Sequence, residues 1–192
     1  MVAFAFVVVM TGCSSNTDTM DDSNETTATV RQEEQPQIKV VQDGEFVATG
    51  QETVEMLEQT LKNNYDESIE IEESEKGPGF YQINADSLPS INMMRDTVWI
   101  ETADDVPNNY VIVMAQDDEA GIQLSAALYL LTAKNDILFE EACSIIQEKS
   151  ETVKRTEESQ DWSEEKNIHF SFSSNDTGNG VKQNTFSVWY WK

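Results

Sequence analysis

Residues 168–191 read IHFSFSSNDTGNGVKQNTFSVWYW. Ile168, Phe170 and Phe172 alternate with His169, Ser171 and Ser173, and Phe186, Val188 and Tyr190 alternate with Ser187, Trp189 and Trp191. A strand sends successive side chains to opposite faces, so each run has one apolar face to bury and one to leave. The turn-forming SSNDTGNG between them closes the two runs into a β-hairpin. The buried face needs a cover, and the sequence upstream supplies it.

Residues 119–134 carry Ile122, Ala126, Leu128, Leu130 and Leu131, a broad apolar helical surface, with Asp117-Asp118-Glu119 at its N-terminus, where anionic groups are favoured. Asn135-Asp136 interrupts it, and Asp136 is placed to cap a second helix carrying Ile137, Leu138, Ala142, Ile145 and Ile146 before the charged KSETVKRTEESQD. Further upstream, Val54, Leu57 and Leu61 recur at helical spacing after Thr49-Gly50, and Asn63-Asn64 ends that helix. Short strands are expected around Ile38-Lys39-Val40-Val41, in SIEIEES (68–74), in Phe80-Tyr81-Gln82-Ile83 and in DTVWIET (96–102). Tyr110-Val111-Ile112-Val113-Met114 is apolar at every position and is expected to lie centrally, with both faces covered. Segregated runs of strands and helices predict an α+β fold: an antiparallel sheet with helices packed on one face and a C-terminal β-hairpin.

The chain has 192 residues, with 12 Lys and Arg against 36 Asp and Glu, a formal net charge of -24. Phosphate backbones and anionic headgroups repel such a surface, which argues against nucleic-acid partners. The single histidine, His169, excludes His-pair metal sites, and no nucleotide loop, nucleophile elbow or zinc spacing is present, so no cofactor or metal is expected. The loop Asn175-Asp176-Thr177-Gly178-Asn179-Gly180 resembles the start of a calcium loop, but the twelfth position is Phe186 where a bidentate glutamate is needed. Asp104-Asp105 and Asp117-Asp118-Glu119 are read as solvated turns and helix charge. Cys143 sits in an apolar helical stretch and is expected to be inert. Trp189 and Trp191 share the strand face opposite Phe186 and Val188, with His169 across from Trp189, and Trp99 is a further candidate for the same aromatic strip. Such a strip suits a protein, peptide or carbohydrate partner.

The N-terminus carries a different signal. VAFAFVVVM (2–10) is a continuous apolar run of the size of a signal-peptide core, too short to cross a bilayer. Met10-Thr11-Gly12-Cys13 follows, then Ser14-Ser15-Asn16, with no A-x-A cleavage site between residues 10 and 30. This resembles the lipobox of bacterial lipoproteins, with Met10 in place of the usual Leu. Residues 1–12 lack the usual leading Lys or Arg, which points to a start a few residues further upstream. The resemblance implies lipidation of Cys13, cleavage before it, and anchoring to the cell membrane outside the cytoplasm, as in a Gram-positive bacterium. Residues 14–36 hold six acidic residues, one Arg and almost nothing apolar, and are expected to form a tether. As a flexible coil it would span roughly 25–30 Å. The expected organisation is a signal peptide (1–12), lipidated Cys13 with its tether (13–36), and one α+β domain (37–192). The expected function is a non-enzymatic binding domain held at the surface. A small cell-envelope hydrolase using acidic residues and a solute-binding lipoprotein are the alternatives.

Two acyl chains anchor stably where one does not. In a bacterial host, the chain should therefore partition with membranes, and Cys13→Ser should move it to the soluble or unprocessed fraction. Equal membrane partitioning of both forms would contradict lipidation.

Overall fold

In the computed structural model, residues 39–75, 78–84, 98–102, 110–178 and 180–191 are described, with backbone alone for 98–102. The chain divides into two units, Met1–Gln35 and Pro36–Lys192, and all described residues belong to the second. The signal-peptide and Cys13 readings fall outside them. The elements are β1 (Val41–Gln42), β2 (Glu45–Phe46), α1 (Gly50–Asn64), β3 (Glu70–Glu73), β4 (Phe80–Asn84), β5 (Val98–Thr102), β6 (Tyr110–Ala115), α2 (Asp118–Thr132), α3 (Phe139–Thr156), β7 (Gln160–Glu165), β8 (Ile168–Asp176) and β9 (Lys182–Tyr190). The fold is α+β, as the sequence predicts.

Local chemistry sets the helix ends. Thr49 and Glu52 form a capping box on α1, in which the Thr49 N–H donates to Glu52 at 2.8 Å and the Glu52 N–H to the Thr49 hydroxyl. The Thr49 N–H, and after it the Thr49 hydroxyl at 2.9 Å, donate to the Glu52 carboxyl and hold it below its ordinary range. Asp117 caps α2 by accepting from the Ala120 N–H at 2.9 Å. The C-terminus of α2 has no basic residue in its last turn. Lys39 supplies one from the start of the domain, its Nζ 2.9 Å from the Leu130 carbonyl and 3.3 Å from that of Ala133. Asp136 pairs with Lys39 at 3.5 Å and so does not cap α3. That helix starts at Phe139 behind Leu138, which makes no side-chain cap bond, and it runs further than its apolar positions suggest, to Thr156.

Seven strands form one antiparallel sheet in the order β3-β4-β5-β6-β9-β8-β7, and β1-β2 is a separate two-stranded hairpin. The last strand, β9, inserts between β6 and β8, joining the β3–β6 meander to the β7–β9 meander. Strand β6 is thus the middle strand, as its apolar run predicts. Only one of its faces is buried: Val111, Val113 and Ala115 are covered, while Tyr110, Ile112 and Met114 are half-exposed. All three helices pack on that same face. The layer beneath them includes Phe170, Phe172, Phe186 and Val188 with their neighbours on β6. Helix α2 lies in the middle, buried over nearly its whole circumference. Gly121 lets it approach β9, since a Cβ there would sit 3.0 Å from the Asn184 amide nitrogen.

The sequence reading let the second helix fade into the charged stretch that ends at Asp161 and expected no strand over 160–165. Those residues form β7 instead, because Trp162 has a place to bury, its ring stacked 5.4 Å from that of Phe170. Both sheet edges are blunted by acids. Strand β3 carries Glu70, Glu72 and Glu73, and its Ile71 N–H donates to Glu58 of α1 at 3.1 Å. Strand β7 carries Asp161, Glu164 and Glu165, with a bulge between Ser163 and Glu165. Glu164 turns toward α2, accepting from the Lys134 N–H at 2.9 Å and from the Tyr129 hydroxyl.

Phe170 is 1 % exposed, so Phe170→Ala should cost about 3–5 kcal/mol in urea unfolding. Lys39→Ala should cost about 1–3 kcal/mol by leaving the α2 carbonyls without their charged donor. An unchanged midpoint for Lys39→Ala would show that water replaces it without loss.

Candidate functional site

The face of the sheet opposite the helices is not covered by any described element. On β8 and β9 it is a strip of small hydroxyls: Ser171 and Ser173 of β8 face Ser187 and Thr185 of β9 in the ladder. At one end the strip becomes aromatic. Tyr110 of β6 pairs with Trp189 of β9, Trp189 pairs with His169 of β8, and His169 pairs with Ser163 of β7. These four residues therefore form one row across four strands, with side chains on the same face. The next row in the same direction is Ile112, Ser187, Ser171 and Asp161.

Trp191 lies just past the end of β9. Its N–H donates to the Asn167 carbonyl at 3.0 Å, which continues the ladder, and its side chain is 67 % exposed. The His169 and Trp191 rings lie 5.3 Å apart, tilted by 46°. The Ser163 hydroxyl is 2.9 Å from His169 Nδ1 and fixes the imidazole from the other side. Asp161, Trp162, Ser163, His169, Phe170, Trp189 and Trp191 line an open groove of about 480 Å³. The structure thus brings together the three residues singled out from the sequence, His169, Trp189 and Trp191. Trp99 stands apart: it is on β5 in register with Met114, at the other end of β6 from Tyr110.

Ser163, Asp161 and Tyr110 escaped the sequence reading. The first two belong to the unexpected strand β7, and the third joins only because β9 inserts beside β6. The one available signal was the lone Trp162 amid polar residues in QDWSEE.

Chemically, the groove offers flat rings, one hydroxyl, one imidazole and one carboxylate. Ser163 and His169 are bonded to each other, and among the described residues no carboxylate is hydrogen-bonded to the imidazole to orient it as a base. The described carboxyls whose affinity for protons clearly departs from normal, Glu52 and Asp118, are both shifted down. For Asp118 the cause is first the Lys154 ammonium at 2.8 Å and then the Asn184 amide at 3.0 Å. Both are helix-end anchors, and neither is poised to give up a proton near neutrality. Burial, helped by Glu140, pushes the Cys143 thiol up, which leaves it a poor nucleophile. Among the described residues no three His, Cys, Asp or Glu side chains are grouped to hold a metal. Asp104 and Asp105 lie outside the described residues. No helix among the described residues is long and apolar enough to cross a membrane. No family model, curated protein or solved structure matches the chain.

The tryptophans of the edge should separate by role. Trp162 stacks on Phe170 and lies under the Lys149 ammonium, 4.9 Å from the ring centre. Trp162→Ala should lower stability by about 2–3 kcal/mol. Trp191→Ala should stay within about 0.5 kcal/mol, as an exposed residue with little to lose. Equal losses in thermal or urea unfolding would contradict this division.

Proposed function

We propose that this protein is a surface-tethered bacterial lipoprotein whose folded domain is a non-enzymatic binding module. In this reading Cys13 carries the lipid, residues 14–36 are the tether, and the open face of the sheet meets the partner.

The observation that supports it is the groove beside Trp189, Trp191 and His169. Aromatic side chains dominate contact energy at binding surfaces. Here two tryptophans and a histidine stand together on a sheet face that the helices leave free, in a chain otherwise strongly acidic. Trp191 contributes little to the core, which leaves recognition as the use for a large exposed ring. The groups available suit contact and hydrogen bonding more than bond cleavage, since among the described residues no acid is bonded to the Ser163–His169 pair.

The test is the double substitution Trp189→Ser with Trp191→Ser. With Cys13→Ser in both chains to remove the lipid anchor, far-UV circular dichroism and the cooperative melt should be retained, while co-sedimentation with purified bacterial cell walls freed of membrane should be lost. Undiminished co-sedimentation of the folded double variant would overturn the reading, as would loss of the fold, which would make both residues part of the core.

A further inference from the structure

We infer that the groove binds a neutral chain of pyranose sugars. This rests on the binding-module reading above and adds the chemical class of the ligand.

The argument starts from what the groove lacks. A ligand rich in phosphate, sulfate or carboxylate would meet a chain of formal charge -24 with no Lys or Arg in the groove lining. A polycation would be drawn elsewhere. The lining holds one carboxylate, Asp161, while the exposed β3 edge alone carries Glu70, Glu72 and Glu73. An uncharged ligand remains.

What the groove has points the same way. A pyranose ring presents apolar C–H faces and a rim of hydroxyls. It needs flat apolar surfaces beside groups that both give and take hydrogen bonds. Trp189 and Trp191 are successive residues of one strand face, roughly 7 Å apart along the chain direction. That spacing is on the scale of one sugar ring. Asp161 and Ser163 occupy the same face two strands away, across His169. On the face away from the helices, the two indoles thus lie at the end of β9 and the exposed polar groups Asp161 and Ser163 on β7. This division matches a ring lying against indole with its hydroxyls directed along the sheet. The Ser163 hydroxyl and His169 are bonded to each other, so their orientation is set before a ligand arrives and little freedom is lost on binding. The groove is open along the surface, as a polymer segment requires.

The test uses the full 192-residue chain and tryptophan fluorescence with calorimetric titration. The probes are the hexamers of N-acetylglucosamine and of glucose, with hexalysine and a polygalacturonate oligomer as the charged alternatives. At least one neutral hexamer should bind with Kd at or below about 1 mM and shift the tryptophan emission. Trp191→Ala should weaken it about tenfold or more with the circular dichroism unchanged, and Ser163→Ala should weaken it by a smaller factor. Absence of binding by both neutral hexamers up to about 10 mM overturns the sugar assignment. If hexalysine or polygalacturonate binds instead, and Trp191→Ala abolishes that binding, the sugar assignment fails while the groove remains the contact surface. If a neutral hexamer binds equally to wild type and Trp191→Ala, the groove itself is wrong.

Discussion

Helix α2 has almost no face that tolerates water. From Ala120 to Thr132 every residue except Gln123 is buried, and each end still exposes backbone groups that need partners. A helix of this kind has to be enclosed, and its enclosure organises the domain. The sheet covers one side, α1 and α3 flank it, Asp117 closes its N-terminus, and Lys39 reaches its C-terminal carbonyls from a segment far away in sequence. Glu164 ties edge strand β7 to the same helix end through the Lys134 N–H. Gly121 permits the close contact with β9 that seats the helix on the sheet.

Enclosing α2 uses one face of the sheet completely. The apolar residues of β6, β8 and β9 are all drawn to it, and the alternation of a strand then dictates what the other face receives. Over most of β8 and β9 that is serine and threonine, which give a polar face without the repulsion that more carboxylates would bring. Trp189 and Trp191 break this rule at the strand end. Local departures of this kind are expected where a fold serves something besides its own stability.

The sequence made the strongly periodic elements legible. The hairpin 168–191 and its facing residues and the helix after Thr49-Gly50 follow from spacing, and the central position of 110–114 from its apolar run, although only one of its faces is buried. Two elements escaped for a shared reason. The end of α3 and all of β7 lie in a run of charges where Val153 and Trp162 are isolated apolar residues, too few to show a period. Asp136 was misplaced because its partner, Lys39, lies at the other end of the domain. The site was half legible for a similar reason. Faces can be read along a single strand, so Trp189, Trp191 and His169 came out together. Rows across a sheet require the strand order, and nothing local announces that β9 lies between β6 and β8.

That insertion also fixes when the domain can form. Strand β6 cannot bury Val111 and Val113 in a finished sheet until Phe186 and Val188 arrive beside them, and those residues follow two helices and two further strands in the chain. Closing so long a loop is slow, and the first half of the sheet has no complete core of its own to fall back on. Under the proposed export, such late closure would delay folding while the chain crosses a membrane pore.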